Sequence, residues 1–221
     1  MNNQQTLILP EERTTSLVAA EQRVILHGIR WQTYEDLLSQ NEGNSGVHFA
    51  FDQGKLEIMT LSPRHELLKH ALSLLVEVLA EEFEVDILGF GSTTFRRSDL
   101  ERGFEPDACF YIAHAEQIRN SETIDLHSDS PPDLVIEIDL SHPSLNKFPI
   151  FHALEVPEIW RYDGELVSVF HLQESGYAPR RESHAFPAVT TQLLTEWIES
   201  SLRLKRTEWL RQIRTWVANQ R

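Results

Sequence analysis

The chain has 221 residues, 41% of them hydrophobic, and a formal net charge of −14. This length and composition predict a folded domain with a sizeable core and exclude wholesale disorder. The single cysteine, Cys109, excludes an internal disulfide and a zinc site built from several thiolates. No apolar run approaches the roughly 20 residues that cross a membrane, and residues 1–12 lack the pattern of a signal peptide. We therefore expect a cytoplasmic protein without a membrane partner.

The N-terminal half combines short strands with one long helix, after a lead-in segment at residues 1–30. The predicted elements are a helix at 31–39, strands at 47–52 and 55–59, a helix from 63 to about 83, and strands at 85–88, 93–96 and 107–112. The turn Gln53-Gly54 joins the first two strands into a hairpin. Ser62 followed by Pro63 marks the start of the long helix, which apolar residues at helical spacing then continue.

The C-terminal half contains the most apolar strand of the chain. Residues 134–138 form a nearly continuous apolar run, which is typical of a buried central strand. The other predicted elements are short helices at 115–119 and around Pro149, hairpin strands at 158–162 and 165–172, and helices at 193–198 and 199–221. Strands interleaved with helices in this way indicate an α/β (α+β) fold.

The C-terminal amphipathic helix, within residues 199–221, carries a local positive charge. Residues 202–221 contain six basic residues and one acidic residue. This basic face is either solvated or contacts nucleic acid or an acidic neighbouring subunit. The apolar stripe of the same helix is either a dimer surface or a face that packs on its own domain. The strongly acidic remainder of the chain lowers the expectation of nucleic-acid binding without excluding it.

Carboxylates open or interrupt two of the predicted strands. Asp107 follows Pro106 at the start of one strand, and Glu137 lies inside the apolar strand 134–138. A buried carboxylate is costly unless it is paired. An ion pair with arginine explains one such residue, whereas two together suggest a divalent cation that also binds substrate phosphate. Lys147, near the start of the following helix, could reach the same strand end and act on a water molecule.

Two further residues, His65 and Glu57, have both a functional and an ordinary interpretation. His65 either contacts a metal or phosphate or is solvated, and Glu57 either points into the site or lies on a strand surface. His142 is a further candidate general base, and Cys109 fits a small buried hydrophobe. The chain has no Gly-rich phosphate loop and no Gly-x-Ser-x-Gly motif, which argues against a nucleotide-binding loop and a serine hydrolase triad.

Taken in order, these motifs resemble the PD-(D/E)xK nucleases and, more specifically, the large bacterial Uma-type family of restriction-endonuclease-like proteins. The matching segments are Gly54-Lys-Leu-Glu-Ile-Met59, Ser62-Pro-Arg-His-Glu66, Gly103-Phe-Glu-Pro-Asp107, Pro132-Asp-Leu-Val-Ile-Glu137 and the block from Lys147 to Asp163. The resemblance implies a restriction-endonuclease-like fold over residues 31–198, with a mixed central β-sheet flanked by helices.

The resemblance also implies Mg²⁺-dependent (or Mn²⁺-dependent) hydrolysis of phosphodiester bonds in DNA. Asp107 and Glu137 would then ligate the metal, Lys147 would be the catalytic lysine, and Glu66 would be a further acidic member of the site. In the superfamily pattern the lysine stands two residues after the glutamate, where this chain has Asp139. Asp139 is therefore a candidate third metal ligand. A homodimer would bring two such sites together to cut both strands.

A non-catalytic binding or scaffolding protein on the same fold is the alternative, and the net charge of −14 favours it. The presence of Asp107, Glu137 and Lys147 together argues for the enzyme. The two hypotheses differ in one geometric expectation, since an enzyme requires these three side chains to converge around one point.

Overall fold

A computed structural model of the chain describes residues 21–44, 46–140 and 144–220. In chain order the elements are β1 (Gln22–His27), α1 (Trp31–Gln40), β2 (Val47–Asp52), β3 (Lys55–Thr60), α2 (Pro63–Phe83), β4 (Leu88–Gly89), β5 (Phe95–Arg97), β6 (Arg102–Phe104), β7 (Ala108–Tyr111), α3 (Ala115–Ile118), β8 (Leu134–Ile138), α4 (Phe148–Ala153), β9 (Glu158–Tyr162), β10 (Val167–Gln173), β11 (Gly176–Arg180), α5 (Thr191–Ser201) and α6 (Arg206–Ala218). Within these residues, no helix is both long and apolar enough to cross a membrane.

The strands form two sheets, so the fold is mixed α+β. One sheet has six strands in the order β11-β10-β9-β8-β7-β4, and in it β8 and β9 run parallel while the other neighbours run antiparallel. This sheet confirms the predicted mixed sheet flanked by helices. The other sheet is antiparallel, has five strands in the order β1-β3-β2-β6-β5, and was not predicted as a separate sheet.

The long helix α2 begins and ends as its sequence predicts. The Ser62 side chain accepts a hydrogen bond from the backbone N–H of His65, and Pro63 occupies the first helical position. The helix ends at Phe83, and the next residue, Glu84, has a left-handed backbone (φ 59°). The buried face of α2 packs on β8 and on α6. Since Trp209, Ile213 and Val217 of α6 belong to this core, the apolar stripe of the terminal helix packs on its own domain.

The strand β8 separates two apolar clusters, because alternate side chains point to opposite faces of a sheet. Leu134, Ile136 and Ile138 face the helical layer of α2, α5 and α6. Val135 faces the second cluster, which lies between the two sheets and includes side chains of β2, β5, β6 and α4. Glu137 has the same parity as Val135 and therefore projects between the sheets.

Candidate active site

Glu137 is a buried carboxylate in which one oxygen accepts a hydrogen bond and the other has no partner among the described residues. Its Oε2 accepts a hydrogen bond from Lys147 Nζ at 2.6 Å. Its Oε1 is buried and has no hydrogen-bond partner in the parts of the chain that the structure describes. Burial raises the pKa of Glu137 to about 7, with Lys147 lowering it and Asp107 raising it further. The carboxylate is therefore poised to accept a further cation or proton donor.

Lys147 reaches Glu137 from the N-terminal end of α4, where Pro149 helps to start the helix. Its side chain is 9% exposed, and its Nζ also lies 3.9 Å from Glu57 Oε1. Burial alone would lower the pKa of Lys147, but Glu137, Glu57 and Asp107 outweigh burial and raise it. The ammonium group therefore stays charged at neutral pH.

Asp107 lies one residue before β7 and comes opposite Glu137 when the antiparallel register of β7 and β8 is extended. Its Oδ2 accepts a hydrogen bond from the backbone N–H of Ile138 at 2.6 Å, which fixes the carboxylate against β8. Burial alone would raise the pKa of Asp107, but His48 and His65 nearby hold it well below its usual range. The residue therefore remains a carboxylate.

His65 orients the other oxygen of Asp107. Its Nε2 lies 2.7 Å from Asp107 Oδ1, and its Nδ1 lies 2.8 Å from Glu21 Oε2. Burial alone would lower the pKa of His65, but the hydrogen bonds and charges of Asp107 and Glu21 raise it to about 9. His65 is therefore a buried imidazolium between two carboxylates. His48 lies near the same oxygen, with Nδ1 3.6 Å from Asp107 Oδ1.

The five-stranded sheet contributes Glu57 and Arg23 to the same region. Glu57 is buried in β3, and its Oε2 accepts a hydrogen bond from the backbone N–H of Leu145 at 2.7 Å. Arg23 of β1 places Nη1 3.7 Å from Glu57 Oε2 and Nη2 3.4 Å from Asp139 Oδ1. These contacts join the two sheets at the site. From the sequence alone, Glu57 has two interpretations, and no role is predicted for Arg23.

Asp139 is held by two arginines. Its Oδ2 accepts hydrogen bonds from Nε and Nη2 of Arg161, the first at 3.2 Å. On the other side of the carboxylate, Arg23 Nη2 approaches Oδ1. Asp139, expected from the sequence as a candidate third metal ligand, therefore has one oxygen bonded to Arg161, while its buried Oδ1 has no hydrogen-bond partner among the described residues and lies 3.4 Å from Arg23 Nη2.

Glu66 lies outside this cluster. Its side chain is 48% exposed, and its carboxylate contacts Lys69 Nζ at 3.2 Å on the helix surface. Consecutive residues of an α-helix point about 100° apart, so His65 turns inward while Glu66 turns outward. The structure thus brings Asp107, Glu137 and Lys147 together and does not bring Glu66 to them. His142 falls outside the described residues.

A cavity of about 230 Å³ opens at Glu137 and Lys147. Charged side chains of both signs line it, namely Arg23, Glu137, Asp139, Lys147 and Arg161. A larger cleft of about 1050 Å³ is lined by His48 and by several acidic side chains that include Glu35, Asp36 and Asp125. Its acidic lining is unsuited to a polyanion, so the smaller cavity is the better candidate site.

The donor set at this cavity is compatible with a hard divalent cation. Mg²⁺ is commonly bound by one or two carboxylates together with water and substrate phosphate. Glu137 lines this cavity, and its Oε1 has no hydrogen-bond partner among the described residues. Asp107 lies beside Glu137 but outside the cavity lining, with Oδ1 facing His65 and Oδ2 accepting from the backbone N–H of Ile138. Over residues 21–44, 46–140 and 144–220, no group of three or more His, Cys, Asp and Glu residues forms a metal cluster. The described residues therefore do not form a closed protein cage for a metal ion.

Comparison with known proteins gives one family match over most of the chain. The model of the Uma2 family, described as putative restriction endonuclease, matches residues 31–204. Among solved structures, the chain is similar to a putative nuclease belonging to DUF820 from Anabaena variabilis, at 16% identity and a TM-score of 0.47. That alignment covers 68% of this chain and 90% of that chain. No curated protein matches the chain.

Proposed function

This chain belongs to the Uma2 family of putative restriction endonucleases, and from that membership we propose that it is a Mg²⁺-dependent (or Mn²⁺-dependent) endonuclease that hydrolyses phosphodiester bonds in DNA. The observation that carries the proposal is the state of Glu137. One of its oxygens accepts from Lys147 while the other is buried and has no partner among the described residues. A buried acceptor without a donor costs free energy, and a bound cation would remove that cost.

In this proposal Asp107 and Glu137 hold the metal ion. When bound, such an ion lowers the pKa of a coordinated water and stabilises negative charge on a phosphate. The chain supplies the orientation of these ligands, since the backbone N–H of Ile138 and the ring of His65 fix Asp107 from two sides. Ligands held by neighbouring hydrogen bonds keep their geometry without a further entropic cost when the ion binds.

Lys147 has the role of a fixed positive charge beside the reacting phosphate. Its Nζ is held by Glu137 and lies in the cavity, where it can donate to a water molecule or to a phosphate oxygen. Preoriented charge in a water-poor site stabilises a developing anion more strongly than the same charge does in bulk water. Glu66 receives no role, because its carboxylate lies on the surface.

The proposal is tested by cleavage of supercoiled and linear DNA at low salt, with Mg²⁺ or Mn²⁺ present and with EDTA as the metal-free condition. Low salt is chosen because an acidic protein binds a phosphate backbone weakly. We expect cleavage by the parent chain, loss of cleavage in Glu137→Gln and Lys147→Met, and unchanged cleavage in Glu66→Gln. Circular dichroism of each variant separates loss of chemistry from loss of folding.

A non-catalytic binding module remains the second candidate function, and the net charge of −14 favours it. Absence of cleavage across metals and substrates, together with absence of metal binding in a calorimetric titration, would support this candidate. Two sites in one assembly would allow both strands to be cut, so we also propose a homodimer in the cytoplasm. Light scattering during size-exclusion chromatography tests the dimer.

A further inference from the structure

The cavity at Glu137 contains more basic than acidic side chains, although the chain as a whole is acidic. Arg23, Lys147 and Arg161 line it together with Glu137 and Asp139. The side chains of Arg23 and Lys147 are only 5% and 9% exposed, whereas that of Arg161 is 34% exposed. Arg161 is therefore the cation of this cavity that a large ligand reaches most readily.

The sheet register places Arg161 directly beside the candidate metal ligands. In the parallel pair of β8 and β9, Arg161 is the partner of Glu137, and neighbouring strands lie about 4.8 Å apart. Arg161 has the same parity as Ile159, which packs in the cluster between the sheets. Asp107, Glu137 and Arg161 thus form one row across three adjacent strands, on the face that carries Lys147.

The guanidinium of Arg161 is oriented before any ligand arrives. Asp139 accepts from its Nε and Nη2, and the backbone N–H of Asp139 donates to Tyr162 O at 2.8 Å. Arg23 adds an ion pair to the other Asp139 oxygen, with Nη2 3.4 Å from Oδ1. A guanidinium has five N–H donors. The remaining donors of Arg161 have no partner among the residues that the structure describes. They are available to an anion in the cavity.

We propose that Arg161 binds a phosphate oxygen of the nucleic-acid strand at the Glu137–Lys147 site, and that Asp139 positions it. This inference rests on the proposed nuclease function, because the phosphate belongs to that substrate. A planar guanidinium matches the geometry of a phosphate group better than an ammonium does. A preoriented local cation also offsets the repulsion between an acidic protein and a polyanion.

The competing explanation is that the pair of Arg161 and Asp139 only ties β9 to β8. Salt dependence of binding separates the two explanations, because only a contact with phosphate releases counterions from the nucleic acid. We would measure the fluorescence anisotropy of a labelled DNA duplex over a salt series, with Mg²⁺ present, in a Glu137→Gln background that does not turn over. Arg119→Gln is the matched control, since Arg119 is 39% exposed, is ion-paired with Asp86 and Glu116, and does not line the cavity.

We expect Arg161→Gln to weaken binding by about tenfold or more and to reduce the slope of log Kd against log salt by about one. Arg161→Lys keeps the positive charge but loses the planar guanidinium, so this variant should bind DNA with intermediate affinity. Asp139→Asn keeps Arg161 but loosens its orientation, so a smaller loss of affinity with an unchanged slope is expected. Arg119→Gln should match the background protein in both affinity and slope.

The results distinguish failure of this inference from failure of the proposed function. If Arg161→Gln and Arg161→Lys both keep the affinity and the salt slope of the background while the parent chain cleaves DNA, Arg161 is structural and the inference is overturned alone. If the parent chain neither binds nor cleaves DNA, the nuclease proposal and the inference fall together. If Arg161→Gln does not fold, Arg161→Lys supplies the measurement, and an unchanged affinity in that variant overturns the inference.

Discussion

Lys147 Nζ lies 2.6 Å from Glu137 Oε2, although the two residues are ten positions apart and belong to different elements. Glu137 is fixed in the central strand β8, and Lys147 precedes the first turn of α4. A lysine two residues after the glutamate would lie directly after β8, where this chain has Asp139. The ammonium group that contacts Glu137 thus comes from the start of α4. The position two residues after Glu137 is occupied by Asp139, which forms ion pairs with Arg23 and Arg161.

The raised pKa of Glu137 predicts how stability changes with pH. The pKa is about 7 in the folded chain against 4.5 for an unperturbed glutamate, so the folded state binds this proton more tightly. The stabilisation is present below pH 4.5 and is lost as the pH rises to 7. Glu137→Gln does not titrate, so its unfolding free energy should improve relative to the parent between pH 5 and pH 8. Urea denaturation of the parent and of Glu137→Gln at pH 5 and pH 8 measures the difference between their unfolding free energies. The same difference at both pH values would contradict the prediction.

Glu57 and Glu66 form a matched pair for separating buried from exposed carboxylates. Glu57 is buried against the Leu145 N–H, Arg23 and Lys147, so Glu57→Gln leaves buried cations less compensated and should cost about 3 kcal/mol. Glu66 contacts only Lys69 on the surface, so Glu66→Gln should change the unfolding free energy by less than about 0.5 kcal/mol. Denaturant titration measures both values. Similar losses in the two variants would show that Glu57 is not a structural link between the sheets.

The fold was predictable wherever its determinants are local in sequence. The hairpin of β2 and β3 and the boundaries of α2 follow from a turn, a cap and regular spacing, and all are confirmed. Three strands, β1, β6 and β11, were not predicted. Two of them are edge strands and β6 has three residues, so their formation depends on non-local pairing. The division into two sheets depends on the same long-range contacts.

The candidate site was predictable in its centre and less so in its surroundings. Asp107 and Glu137 are recognisable because charged residues adjoin apolar strands, and Lys147 gains its weight from these neighbours and from the family resemblance. The structure brings the three together. The orientation of the first turn of α2 could also have been predicted from the helical spacing of its apolar residues. Leu68 and Leu72 are buried, and His65 lies three residues before Leu68, so helical spacing already turns His65 inward and Glu66 outward. The role of Arg23 could not be predicted from the sequence, because its burial depends on how β1 pairs with β3.

Arg23 precedes residue 31, where the family match begins. Its replacement should nevertheless lower the free energy of unfolding as much as replacement of residues inside the matched region. Its side chain is almost fully buried against Glu21, Glu57 and Asp139. Arg23→Met would leave these carboxylates without a shared cation and should cost about 3 kcal/mol. The exposed Arg30 provides the control, and Arg30→Met should change stability by less than about 0.5 kcal/mol. Thermal or urea denaturation of the two variants tests whether β1 is part of the stable unit.

His65 should stabilise the fold in a pH-dependent manner, because its charged form bridges Glu21 and Asp107. Its pKa is raised from 6.5 to about 9, so the stabilisation is fully present below pH 6.5 and is lost as the pH rises through 9. His65→Gln should therefore cost about 3 kcal/mol at pH 6 and progressively less towards pH 9.5. His70→Gln, on the exposed face of the same helix, is the control and should cost less than about 0.5 kcal/mol at either pH. Urea denaturation at both pH values decides the matter, since a deficit in His65→Gln that is the same at pH 6 and pH 9.5 would mean that the imidazolium is not the stabilising form.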